Sequence, residues 1–404
     1  MRILYITYDG LLDPLGRSQI IPYLKDIAVA NGGVLVLSFE KDERQFSDGQ
    51  VMSQLMAQYG INWHPLRFTT KIGAAGKVWD LLKMYFWGYR LALRHDVRII
   101  HTRGHPATQI GLFIKWLTGA RLIFDFRGLW VDERVDKGGW DLKHWSHRWQ
   151  YTYFKRTERK LLANADQLVV LSKAVVPEVH RLGASQATTV TVIPCCADFE
   201  FFPLANRYSR AQSRRQLEIP QDALVLGYLG SVGRMYMLNR LFRLFELAAV
   251  HRPEIHLLVV TQDIEALKNL MDKYLPVVLQ HRVCVRSAIR EQVPHMIAAM
   301  DVLVSFIQPS YARIAASPTK LAECFAVGIP VICNTGVGDV SDQVRYLKAG
   351  CIVDPKSDAE LLAIVENIDE IITMGGSRLR ESARKIFGLE VAQMLYRKVY
   401  KELN

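Results

Sequence analysis

The sequence predicts two doubly wound α/β domains, each a parallel sheet covered on both faces by helices. Two observations carry this expectation. Short β-branched runs alternate with longer helical patterns along the whole chain, and the runs are apolar throughout instead of alternating with polar residues. A polar, basic stretch without a period, "ADFEFFPLANRYSRAQSRRQLEIPQ", divides the runs into two sets.

"RILYIT", "VLVLSF", "VRIIHT", "RLIFDF", "QLVVLS" and "TVTVIP" precede residue 195; "ALVLGYLG", "IHLLVV", "VCVR", "DVLVSF", "IPVIC" and "CIVDP" follow residue 220. The expected division is a first domain over 1–198, a linker over 199–220 and a second domain over 221–385. The last helical pattern, 386–404, is expected to cross back to the first domain.

A chain of 404 residues, half of them hydrophobic, buries large cores and suits two domains, which excludes a disordered or fibrous class. The net charge of +11 and pI near 9.3 point to an anionic partner: nucleic acid, nucleotide phosphates or an acidic membrane surface. Six cysteines form no C-x-x-C, and three of them lie in apolar runs, which reads as a reduced, cytosolic chain. "MRILYITYDG" reads as a strand and not a secretory signal, and no stretch reaches the ~18 uncharged residues of a membrane span.

In open parallel sheets ligands gather beyond the carboxyl ends of strands, so candidates are sought there. After "RILYIT" a Gly-bearing loop runs into a helix near Arg17, read either as an ordinary strand-to-helix connection or as backbone approach to a phosphate or sugar at Gly16. It lacks G-x-G-x-x-G, so no nicotinamide or flavin fingerprint is present there. After "ALVLGYLG", "GSVGRMYM" places Gly230, Ser231 and Arg234 before a helix expected at about Met235. In "IAASPTKLAECFAVGIPVIC", Ser317 is the expected N-cap, Pro318 and Thr319 open the helix, and Gly328 is the left-handed stop. Such a helix start favours an anion through its unpaired N–H groups and its dipole. Lys320 adds a full charge suited to a pyrophosphate, and Glu323, one turn on, suits the vicinal hydroxyls of a ribose. A capped helix with solvated Lys and Glu is the competing reading.

The pieces "LGRSQIIPYL", "FDFRGLWVDE", "ADQLVVLS", "VIPCCADFEFF", "LGYLGSVGRMY" and "SPTKLAECFAVGIPVI", taken in order, resemble the family 4 retaining glycosyltransferases of the GT-B fold. The resemblance implies two Rossmann-like domains facing each other across a cleft that closes over a nucleotide-sugar held by the second. Glu323 matches the second Glu of that family's E-x(7)-E motif; the first falls on Ala315, so sugar contacts are expected from Ser310 and Arg313. Lys320 and Arg234 match a basic pair at the phosphates, while Arg127, flanked by Asp125, stands where many members carry a His. Asp125 and Arg127 are expected near the reacting centre, with His105 in "HTRGHP" a further catalytic candidate; a buried structural Arg–Asp pair is the competing reading. No D-x-D follows a strand and no His or Cys cluster has ligand spacing, which fits a metal-independent enzyme without a cofactor.

Two segments, 76–96 and 138–160, interleave Trp, Tyr and Phe with Lys, Arg and His, as helices on an anionic membrane do. Their aromatics suit a core equally, and a nucleic-acid partner is not expected because no recognition motif is present. The expected function is transfer of a sugar to a saccharide or lipid-linked saccharide in surface polysaccharide assembly, by a cytoplasmic enzyme peripheral to the membrane. The alternatives are a 2-epimerase-like enzyme and a non-catalytic nucleotide-sugar-binding module.

Overall fold

The computed structural model describes residues 2–40, 49–69 and 73–403, with the backbone alone for 50, 51, 73–75 and 77. The chain forms two compact units, Met1–Pro194 with Leu389–Asn404, and Cys195–Gly388.

The first unit holds a seven-stranded sheet made of β1 (Ile3–Thr7), β2 (Val34–Glu40), β3 (Ile61–Arg67), β4 (Ile99–Arg103), β5 (Arg121–Phe126), β6 (Gln167–Val170) and β7 (Thr189–Val192), in the order β3-β2-β1-β4-β5-β6-β7. Every pairing is parallel. β1, β2 and β4 are buried along their whole length, as expected of strands covered on both faces. The apolar runs do not announce β3, and its place explains why: it is an edge strand, half exposed and interrupted by Pro65, which only an edge tolerates.

The second unit holds six parallel strands: β8 (Leu224–Leu229), β9 (Ile255–Val260), β10 (Val283–Arg286), β11 (Val302–Ser305), β12 (Val331–Cys333) and β13 (Gly350–Ile352). Their order is β10-β9-β8-β11-β12-β13, so the sheet reverses direction between β8 and β11. Alternate strand residues feed two separate cores. Val225, Leu258 and Leu303 pack on one face with helix Thr319–Val327, and Leu226, Leu257 and Val304 pack on the other with helix Leu238–His251.

The stretch expected as a linker belongs to this second unit. Phe199, Phe202, Leu217 and Ile219 are buried in its core, and helix Arg207–Gln216 opens on a capping box between Asn206 and Ser209. Arg214 is buried and donates to Asp301 at 2.7 Å. A short basic helix between apolar anchors has too few turns to show a period, which is why the composition reads as a linker.

The helix Leu389–Lys401 packs on helix Ile21–Ala30 of the first unit. It drives Tyr396 and Tyr400 into that unit's interior. The Tyr400 hydroxyl lies 2.6 Å from His101 Nδ1, and the Tyr396 hydroxyl donates to Asp125 Oδ2 at 3.2 Å. Tyr400→Ala is expected to destabilise the first unit by on the order of 3–5 kcal/mol, the cost of emptying a large buried aromatic. Denaturant unfolding followed on that unit checks this, and an unchanged midpoint would show that the terminal helix adds nothing to its core.

Candidate functional site

The reversal between β8 and β11 splays two loops apart at the carboxyl ends of the strands, where open α/β sheets bind ligands. The first loop leaves β8 through Gly230, whose φ of 142° is a conformation that side chains with a Cβ rarely adopt. It is pinned at two points: the Tyr228 hydroxyl donates to Ser231 O at 2.7 Å, and Asp263 Oδ2 accepts the Val232 N–H at 2.7 Å. Ser231, Gly233 and Arg234 are left exposed. The helix expected near Met235 begins at Leu238 instead, because 235–237 first lie along the second loop, with Met237 N donating to Phe306 O and Gln308 N to Met235 O.

The second loop leaves β11 and is gripped by Asn334, whose amide accepts the Ile307 N–H and donates to the Ile307 carbonyl, each at 2.8 Å. Ser310 precedes a 3₁₀ turn, Tyr311–Ala315, in which Arg313 and Ala315 are buried. A cavity of about 420 Å³ opens beside this loop, lined by Met237, Pro309, Asn334, Thr335 and Lys356 among others. The helix that follows starts at Thr319, with Pro318 at the N-cap, one residue later than expected. Ser317 does not cap it, because its Oγ accepts the Cys195 N–H at 3.1 Å. Gly328 ends the helix in the left-handed conformation, φ 87°.

Lys320 and Glu323 are not solvated. Both are 7% exposed, because the helix is buried on all sides from Lys320 to Val327. The Lys320 Nζ has no hydrogen-bond partner among the described residues. It sits between two ring faces, 4.7 Å from the Tyr228 centroid and 4.6 Å from that of Tyr236. Burial holds its ammonium down at about 8, and no carboxylate opposes the shift. Gly230 borders the same space, where an added Cβ would lie 3.6 Å from Nζ. Glu323 is pushed up by burial and drawn back by Arg290, whose Nη1 donates to Oε1 at 3.2 Å. Its second oxygen carries no hydrogen bond among the described residues.

In the first unit the corresponding reversal lies between β1 and β4. Asp125, at the end of β5, is fully buried; Arg127 Nη1 approaches its Oδ1 at 3.4 Å and Arg103 Nη1 its Oδ2 at 3.5 Å. Arg103 is itself 3% exposed, and its Nε and Nη1 are without a hydrogen-bond partner among the described residues. His101 lies in the same cluster, lowered to about 4 by burial and hence neutral. His105 is drawn elsewhere: its Nε2 lies 2.8 Å from Glu158, which also takes Lys155, and its ring stacks on Trp130. Gly16 is buried in helix Pro14–Gln19, where a Cβ would come within 2.2 Å of Gly10 O, so close packing alone requires glycine. Among the described residues no three His, Cys, Asp or Glu side chains gather in a way that would hold a metal.

Residues 34–196 match the family description "Glycosyl transferase 4-like domain", and residues 209–386 match "Glycosyl transferases group 1". The chain is a family 4-like glycosyltransferase of the GT-B type. A curated D-inositol 3-phosphate glycosyltransferase from Corynebacterium urealyticum is 25% identical over 238 residues, 56% of this chain. The chain spans about half, 55%, of that relative's length. Among solved structures, HepE from Anabaena with UDP and glucose bound superposes with a TM-score of 0.71 at 16% identity, covering 99% of both chains. Sucrose-phosphate synthase from Thermosynechococcus elongatus gives 0.70 at 18% identity, covering 100% of this chain and 99% of that one. These likenesses establish the fold the transferase shares with them.

Several residues of the transferase's sites were not singled out from the sequence. Tyr228 and Tyr236 read as strand and loop aromatics, and Arg290 lies in a short turn without a motif. Arg103 carried the one available signal, a cation at the carboxyl end of a strand beside the switch point.

Burial gives Lys320 a part in stability as well as in the site. A buried ammonium without a counter-ion, on the first turn of a helix whose dipole opposes it, is destabilising on its own. Lys320→Met is therefore expected to melt above wild type. The unfolded lysine titrates at 10.5 and the folded one at about 8, so wild type gains stability as pH rises between those values. The advantage of the Met variant should be largest at pH 7 and shrink towards pH 10. A melting difference that is flat or inverted with pH would contradict this.

Proposed function

We propose that the transferase moves a sugar from a nucleoside diphosphate donor to a saccharide or lipid-linked saccharide acceptor, with retention of anomeric configuration and without a metal. The setting is surface polysaccharide or other glycoconjugate assembly, on the cytoplasmic face of a membrane that the protein touches peripherally. The observation that carries this reading is the Lys320 ammonium, buried at a helix start with its hydrogens unclaimed. Removing the compensating charge from a buried cation is costly, so the arrangement makes energetic sense around an anion.

A diphosphate is the anion that fits the surroundings. It would meet the first-turn N–H groups at Thr319 and Lys320, the Lys320 ammonium and the backbone of the Gly230–Ser231 loop, with exposed Arg234 beside it. Glu323 is held by Arg290 through one oxygen, and its other oxygen accepts from a ribose hydroxyl. Ser310 and Arg313 line the approach to the sugar in place of the carboxylate that Ala315 lacks. The nucleotides named with HepE, UDP and UDP-glucose, support this donor class.

The chemistry follows from where charge moves. When the bond from the anomeric carbon to the phosphate oxygen breaks, the nucleoside diphosphate leaves with the electron pair, and fixed positive groups already aimed at it lower the barrier. On the first unit, Asp125 and Arg127, with Arg103 behind them, serve the acceptor side. His105 is hydrogen-bonded to Glu158, which pairs with Lys155, and supports that wall.

Titration with UDP-glucose and other nucleotide-sugars tests the donor site. Lys320→Met should weaken binding by about a hundredfold, equivalent to about 3 kcal/mol for a charge-assisted phosphate contact. Wild-type affinity in that folded variant would remove the helix start from the site. Asp125→Asn should separate the two units' roles, leaving donor affinity intact while transfer falls by about a hundredfold or more. Equal losses of donor binding and transfer would place Asp125 in the fold or the donor site instead.

A further inference from the structure

The first unit carries an exposed apolar face that sugar transfer does not use. On helix Gly73–Arg94, Trp79, Leu82, Phe86 and Leu93 recur at the spacing of one helical stripe, and all are exposed. The side chain of Lys77 lies outside the described residues. On helix Trp145–Asn164, Trp145, Trp149 and Tyr153 stand four apart, the two tryptophans 77% and 66% exposed. Helix Gly104–Thr118, which the sequence pattern did not single out, packs against both and adds Phe113, Trp116 and Leu117. The join is direct on each side. Phe113 meets Tyr85 edge to face at 5.2 Å, and Lys160 lies over the Trp116 ring at 4.4 Å.

The charge on this face has one sign. The three helices expose Arg90, Arg148, Arg156 and Lys160 among their cations, while Lys115 is paired with Asp166. Their only acids are Asp80 and Glu158, both buried; Lys83 pairs with the first, and His105 and Lys155 with the second. No acid is therefore exposed on them. A second copy of this chain would oppose like charge with like, and nucleic acid offers no apolar surface to the exposed Leu82, Leu93 and Leu117. An anionic bilayer answers both features, with aromatic side chains at the headgroup–acyl boundary and Lys and Arg among the phosphates.

We propose that these three helices form a docking surface for anionic lipid membrane. The inference deepens the reading of a lipid-linked acceptor and rests on it for its biological sense, not for its geometry. Docking is peripheral, since no described helix is long and apolar enough to cross a membrane.

Sedimentation with vesicles of one part phosphatidylglycerol to two parts phosphatidylcholine tests it at about 0.1 M salt. The whole protein should bind these vesicles, bind pure phosphatidylcholine far less, and shift its tryptophan emission to the blue on binding. The triple variant Phe86→Ser, Trp116→Ser, Trp149→Ser should bind at least tenfold more weakly. Arg156→Glu and Lys160→Glu should each lose about fivefold or more, from about 1 kcal/mol per basic residue near the surface. All five side chains are exposed, so melting temperature and UDP binding by the second unit should match wild type. No binding to the anionic vesicles, or a dimer in light scattering that the triple variant breaks while vesicle binding persists, overturns the proposal. Normal vesicle binding by a protein that binds no nucleotide-sugar would instead sink the proposed donor chemistry and leave this surface standing.

Discussion

An unpaired ammonium in the interior of the second unit sets the terms for the structure around it. Lys320 has lost its hydration to the buried helix Thr319–Val327, and no carboxylate faces it. What holds it in place is aromatic: the faces of Tyr228 and Tyr236 offer quadrupole attraction without consuming its hydrogens. That cage exists only because the sheet reverses between β8 and β11, so that 235–237 fold back along 306–308 before the next helix begins. The same detour leaves Gly230 and Ser231 beside the helix start. A lysine held this way costs stability unless a counter-ion meets it.

Asp125 plays the complementary part in the first unit. It is a buried carboxylate with two guanidinium groups at 3.4 and 3.5 Å, a tyrosine hydroxyl at 3.2 Å and a neutral imidazole at 3.9 Å. The tyrosine comes from the last helix, so the far end of the chain completes the cluster. Arg103 keeps two buried nitrogens without a hydrogen-bond partner among the described residues. A few residues away, His105 is hydrogen-bonded to Glu158, Lys155 bridges Glu158 and Asp132, and Trp130 stacks on the His105 ring.

The sequence by itself determined the architecture and the place of the loops that follow β8 and β11. Twelve apolar runs became strands, because a parallel strand covered on both faces needs no alternation, and Gly328 stopped its helix where only a left-handed residue fits. β3 escaped because an edge strand is half polar, and the supposed linker escaped because its anchors, Phe199 and Phe202, are too sparse to form a period. Tertiary structure alone decided how the named residues are spent. Lys320 and Glu323 look like solvated helix residues until packing closes over them; Ser317 looks like a cap until Cys195 takes its oxygen; His105 looks available until Glu158 claims it. Tyr228, Tyr236 and Arg290 join the site from 92, 84 and 30 residues before Lys320, by subtraction of sequence numbers. Burial and partnership of that kind arise between segments distant in sequence, and local spacing carries no record of them.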